Sequence, residues 1–190
     1  MHMSDITVRV LDEPDWQLYR TVRLSALAES PDSFTATLAE EAGRDEQFWR
    51  DRMNRAHRLL AERDQHPQGI LSLGPNPDKP ATGEVFGLYV FPEARGTGVS
   101  WRLVEAAAAL AAEDGYSQLF YWAGVDNPRA IGFANNFGFR VTGYRRQARN
   151  NDLDLGEDEV ALVLSLMNDD SAVPPNPTSR RPAPREGPLR

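Results

Sequence analysis

The sequence predicts a mixed α/β domain built on one central sheet. Two observations carry the prediction. Through residue 167, apolar residues switch repeatedly between a spacing of two and a spacing of three to four. The two clearest helical stretches, 99–114 and 128–137, are each followed by a strand-like run, which interleaves helices with a sheet. A third observation bounds the domain. Residues 168–190 hold six prolines in 23 positions and almost no large apolar side chain, which predicts a solvated, disordered tail after a domain over 1–167.

Each element has its own reason. Ile6, Val8 and Val10 alternate with polar residues, as in a strand. Pro14 suits the first turn of a helix. Leu18, Tyr19, Val22 and Ala26 then recur at helical spacing until Ser30-Pro31-Asp32 ends the element. Residues 45–54 predict a second short helix with Phe48, Trp49 and Met53 on its apolar side. Stretches 59–62 and 69–73 read as short strands, and 74–80, with three prolines, as a loop. Residues 84–91 read as a strand and 92–98 as a tight loop. In 99–114 the side chains of Val99, Leu103, Ala106, Ala107 and Leu110 share a helix face, and Gly115 stops it. The unbroken apolar run 119–123 suits a strand covered on both sides. Ala130, Phe133, Ala134 and Phe137 mark a helix closed by Gly138. Stretches 139–144 and 160–166 complete the sheet.

Composition narrows the chemistry. The 190 residues include no cysteine, which removes disulfides, thiolate metal sites and cysteine nucleophiles. His2, His57 and His66 never pair at helical spacing, so no metal is expected. The net charge of −7 argues against nucleic acid as a partner. No apolar run reaches membrane-spanning length, and the N-terminus has no cationic start, so neither membrane nor export is expected, and the location is expected to be cytoplasmic. A homodimer is left open.

The chemistry is concentrated at 88–100. Here a strand feeds a glycine-containing loop that opens directly into a helix. The first N–H groups of a helix lack internal partners, and its dipole adds partial positive charge there. Small residues at Gly96, Gly98 and Ser100 let an anion approach the backbone, which describes a pyrophosphate cradle. A strand-to-helix turn without a ligand fits the same residues. Two nucleotide motifs do not: no lysine follows the loop as a P-loop requires, and Trp101 stands where a dinucleotide fold needs its third glycine.

This loop resembles the acyl-CoA signature R/Q-x-x-G-x-G/A of the GNAT family of N-acetyltransferases, with Arg95, Gly98 and Ser100 in its positions and Ser for the final Gly or Ala. Asn127-Pro128-Arg129-Ala130-Ile131-Gly132-Phe133, followed by Gly138-Phe139, resembles the family's second motif, N-x-x-A-x-x-L/F-Y-x-x-x-G-F. The resemblance implies a mostly antiparallel, six- to seven-stranded sheet flanked by about four helices and splayed at an acyl-CoA slot. It implies acetyl-CoA as acyl donor and an amine as acceptor, with direct transfer in a ternary complex. Backbone groups of Leu88, Tyr89 and Val90 would bond the pantetheine arm and hold the oxyanion. The loop Arg95, Gly96, Thr97, Gly98, Val99 and Ser100 would take the diphosphate. Asn127 matches a position that contacts the arm or the outgoing thiol, and it equally suits a helix cap before Pro128.

Glu84 matches the position of a catalytic glutamate in several members, and a base is needed because an alkylamine is protonated at neutral pH. A strand-edge carboxylate is its other reading. Glu40 and Glu41 fall in the segment that lines the acceptor side in this family, where they would bind a cationic acceptor or simply be solvated. The family tyrosine that protonates the leaving thiolate is replaced by Ala134. Water, Tyr89 or Tyr144 are its candidate substitutes. That gap keeps a non-catalytic acyl-CoA-binding or sensing domain, or a fold without ligand, as alternatives to an enzyme.

Overall fold

The computed structural model describes residues 5–34, 36–147 and 158–167. The expected tail, 168–190, lies outside the described residues. The strands are β1 (Thr7–Leu11), β2 (His57–Arg63), β3 (His66–Pro75), β4 (Thr82–Val90), β5 (Gln118–Gly124), β6 (Arg140–Gln147) and β7 (Asp158–Ser165). The α-helices are α1 (Trp16–Glu29), α2 (Leu38–Ala42), α3 (Glu46–Arg55), α4 (Val99–Glu113) and α5 (Pro128–Phe137). The strands form one sheet in the order β1-β2-β3-β4-β5-β7-β6.

Every neighbouring pair is antiparallel except β4 and β5. Those two are joined by α4, the connection a parallel pair requires. Their register holds for four pairs, from Thr82↔Gln118 to Val85↔Tyr121. Beyond Val85, β4 runs on to Val90 with no strand beside it on that side among the described residues. This is the expected splay.

Two cores fix the layers. On one face, Leu59, Leu71, Leu73, Val85, Leu119 and Leu162 meet Val99, Leu103, Val104, Ala107 and Ala111 of α4. The alanines let the helix lie close on the sheet. On the other face, Leu60, Ile70 and Tyr89 meet Tyr19, Val22 and Ala26 of α1 and Trp49 and Met53 of α3. Strand alternation would send Tyr89 to the wrong side, since Val85 faces α4. A bulge corrects this. Ile70 pairs with Tyr89 but Ser72 pairs with Phe86, so Gly87 and Leu88 together oppose Leu71. Gly87 has φ +63°, a conformation glycine adopts without strain.

Helix α2 was not expected from the sequence. Thr37 and Glu40 close a capping box at its start, and a polar stretch becomes five helical residues. Among the described residues no helix is long and apolar enough to cross a membrane.

Candidate active site

The loop after β4 descends through a 3₁₀ turn (Pro92–Ala94) into α4. Gly96 and Gly98 have φ +77° and +90°, and nothing lies within 4 Å of where a Cβ would stand on either. The loop is therefore both glycine-dependent and open. Helices α2, α3 and α5 each have a side-chain N-cap, from Thr37, Asp45 and Asn127. Helix α4 has none. Its first-turn N–H groups remain available to a ligand. A cleft of about 330 Å³ opens here, lined by Ser30, Ser33, Val90, Ala94, Arg95, Gly96, Val99, Ser100 and Arg129. Arg129 is a cation that the sequence reading gave no role. A larger groove, about 360 Å³, runs between α1 and α3 past Trp16, Arg20, Arg44 and Trp49, and includes no residue of β4 or β5.

Arg95 braces the loop. Its Nε donates to the Val90 carbonyl at 3.1 Å, and its Nη2 to Glu29 at the end of α1 at 2.8 Å. The Glu29 carboxyl is held below its usual range, first by the Ser30 hydroxyl and then by Tyr89 and Arg95. The Asn127 side chain accepts from the Ala130 N–H at 3.0 Å, so the capping role is realised.

Glu84 stands opposite Phe120 on β5, one pair before the sheet opens. It lies on a central strand and its side chain is only 12% exposed, so it is not a strand-edge carboxylate. Asn76 donates to one oxygen at 3.2 Å, and Arg146 approaches the other at 3.4 Å. Arg146 also donates to Glu159 at 2.6 Å and lies 4.2 Å from the centre of the Trp122 ring. Lys79 donates to the Tyr144 hydroxyl at 2.9 Å and sits 5.4 Å from the Phe120 ring centre. The described helices on this face pack over β1–β4. Phe86, 40% exposed, and Tyr144, 49% exposed, mark where their cover ends.

Of the two expected acceptor carboxylates, Glu40 is exposed and Glu41 is buried. Glu41 is 3% exposed, and both its oxygens are taken, by Arg23 at 3.0 and 2.9 Å and by Arg52 at 3.0 Å. Burial works to raise the Glu41 carboxyl, but the two guanidinium groups outweigh it and hold it below the ordinary value. A cationic acceptor approaching Glu41 would meet arginine. Glu40 accepts from the Thr37 N–H at 2.9 Å in the α2 capping box, and that bond is the main reason its carboxyl is lowered.

Of the candidate proton donors, Tyr89 is buried between Phe34 and Phe91, with no well-aligned partner for its hydroxyl. Burial, and then the nearby Glu29 carboxylate, push its pKa up to about 12. Tyr144 is exposed beside Lys79. The sequence reading passed over Tyr121, which stands at the last registered pair before the gap and is raised by burial and by Glu159. Ala134 is 1% exposed within the α4-side core.

A strand that parts from its neighbour thus runs into an open glycine loop and a helix start without a side-chain cap. The model of the acetyltransferase (GNAT) family matches residues 24–139, and the chain belongs to that family. A mycothiol acetyltransferase from Kocuria rhizophila is 29% identical over 131 residues, 66% of this chain and 42% of the relative, so the chain spans about two fifths of that protein's length. Among solved structures, an N-acetyltransferase from Staphylococcus aureus Mu50 superposes with a TM-score of 0.65 at 20% identity, covering 86% of this chain and 100% of the other. The yncA protein of Salmonella typhimurium, solved with its cofactor acetyl-CoA, superposes with a TM-score of 0.67 at 18% identity, covering 86% and 95%.

Proposed function

We propose that this chain transfers the acetyl group of acetyl-CoA to the amine of an acceptor, by direct attack in a ternary complex. One observation carries the reading: β4 parts from β5 after Val85 and runs unpaired on that side to the open loop before α4. The open edge of Leu88, Tyr89 and Val90, where the Val90 carbonyl already accepts from Arg95, suits the amide groups of a pantetheine arm, which would lie against it as an added strand. An N–H of the same stretch would face the thioester carbonyl and stabilise negative charge on its oxygen. The backbone from Arg95 to Ser100, with Arg129 across the cleft, would take the phosphates. Asn127 keeps its cap and flanks the slot.

Glu84 is assigned the base. The ammonium of the acceptor gives its proton to the carboxylate, directly or through one water. The amine lone pair attacks the carbonyl carbon, the nitrogen of the tetrahedral intermediate gives its second proton to water, and the C–S bond breaks as the thiolate leaves. Ala134 has no proton to give, so water protonates the thiolate. An ordinary thiol has a pKa near 8.5, so the thiolate needs little help to leave. The loss of the tyrosine also favours a second reading, an acyl-CoA-binding domain without turnover.

Amine-dependent release of free thiol from acetyl-CoA tests the choice. Release above the amine-free rate with any member of a broad amine panel establishes the enzyme. A thermal shift with acetyl-CoA and no release with any amine establishes the binder.

A further inference from the structure

One buried side chain ties the proposed base to the turn beside it. Asn76 directly follows β3 and is 9% exposed. Its backbone N–H donates to the Thr82 carbonyl at 2.8 Å, which closes the turn between β3 and β4. Its side-chain oxygen accepts from the backbone N–H groups of Asp78 at 2.9 Å and Lys79 at 3.1 Å. Its amide nitrogen donates to Glu84 Oε2 at 3.2 Å. One orientation of the amide serves all of these groups. Reversed, its nitrogen would confront two backbone donors and its oxygen a carboxylate.

The other neighbours of Glu84 hold it less well. Across β3 it registers with Gly74, which offers no side chain. Arg146 on β6 approaches Oε1 at 3.4 Å, but its shorter bond, 2.6 Å, is to Glu159 on β7. Lys79 and Tyr144, bonded to each other, stand over Phe120, the register partner of Glu84 on β5. A cation paired tightly with a carboxylate favours its ionised form and weakens it as a proton acceptor. A neutral amide orients the carboxylate with a smaller loss of basicity.

We propose that Asn76 is a positioning residue for acetyl transfer, holding the Glu84 carboxylate in the orientation from which it takes the acceptor's proton. This rests on the base role argued for Glu84 above. The bond engages Oε2, and Oε1, touched by Arg146 at 3.4 Å, is left to the ammonium. Because the same amide closes the turn, the orientation is set before an acceptor arrives, and no ordering is needed at the moment of reaction.

Two substitutions and a pH series test this, read as amine-dependent thiol release from acetyl-CoA. Asn76→Ala is expected to lower kcat by roughly 10- to 100-fold, the range for a reacting group displaced by up to about an ångström, with KM for the amine little changed. In the Glu84→Gln background the same change is expected to add almost nothing, since no base remains to orient. Asn76→Asp keeps the oxygen that the Asp78 and Lys79 N–H groups need and sets a second carboxylate against Glu84. Like charges oppose ionisation, so the acid-side fall of kcat/KM is expected to move to higher pH. Should Asn76→Ala not fold, the pH profile of Asn76→Asp decides alone. An equal loss from Asn76→Ala in both backgrounds, or an unmoved acid side in Asn76→Asp, overturns the positioning role and leaves Glu84 as the base. Wild-type rates in Glu84→Gln at all pH values overturn the base, and no release with any amine overturns acetyl transfer. Either removes this inference with it.

Discussion

The two sides of the proposed reaction centre are built differently. The acyl side lies in one stretch, Leu88 to Ser100, and its geometry comes from local backbone. Two glycines at positive φ and a helix start without a cap make it. The proposed acceptor side draws on Glu84, Phe86, Phe120, Trp122 and Arg146, which come from three strands. Strand register and the bulge at Gly87 bring them together. The first kind of site survives changes elsewhere in the molecule. The second depends on every strand keeping its register.

The sharpest way to break this contrast is at Glu84. Glu84→Gln keeps the shape and removes the basicity, so kcat/KM at neutral pH is expected to fall by roughly 10²–10⁴-fold. Steady-state rates against pH check this, because the loss must shrink as free amine forms unaided. Rates equal to wild type at all pH values would leave the carboxylate as a mere partner of Asn76 and Arg146.

Glu41 carries the next largest effect, on stability instead of rate. Glu41→Gln leaves the buried Arg23 and the partly buried Arg52 against a neutral amide and is expected to cost about 3–5 kcal/mol, read by denaturant unfolding. The pH dependence has a definite sign. The folded-state carboxyl is held below its ordinary value, so its contribution is present above the unfolded pKa of about 4.3 and is lost as pH falls through the lower folded value. The variant should lack that acid-side loss.

The smallest effect is on the acyl side. Gly98→Asp adds a carboxylate where phosphates would approach, and Asp tolerates the left-handed region better than most residues. If acetyl-CoA binds as proposed, a hundredfold excess over its Kd is expected to stabilise the wild type by about 2.7 kcal/mol. Thermal melts of the variant should lose that shift. An unchanged shift would place the ligand elsewhere.

The same contrast explains what could be read from sequence. Helices α4 and α5 were legible almost to the residue, because Gly98, Gly115, Pro128 and Gly138 punctuate them. Strands β2 and β3 are longer than expected because Asp64 and Gln65 make a two-residue hairpin turn, both at positive φ. Asp-Gln is not a pair that announces such a turn. Helix α2 had a signal in Thr37 and Glu40, the capping-box spacing, but its polar face hid the burial of Glu41. Nothing in any single window ties the Asn76 amide to Glu84. That follows only once β3 and β4 pair and the turn between them closes.

The parting of β4 from β5 also bears on how the molecule coheres. Four register pairs are all that join the sheet β1–β4 to the sheet β5–β7 edge to edge. Beyond them, the halves are coupled through the shared core on the α4 side, the packing of Trp101 on Phe137, and the Glu84–Arg146 and Lys79–Tyr144 contacts, as two plates share a hinge. A ligand wedged along the open edge would supply the backbone pairing that the chain omits there. In that sense the proposed cosubstrate would act as a missing strand of the protein, and the bound state would unfold as one unit where the free state has a seam.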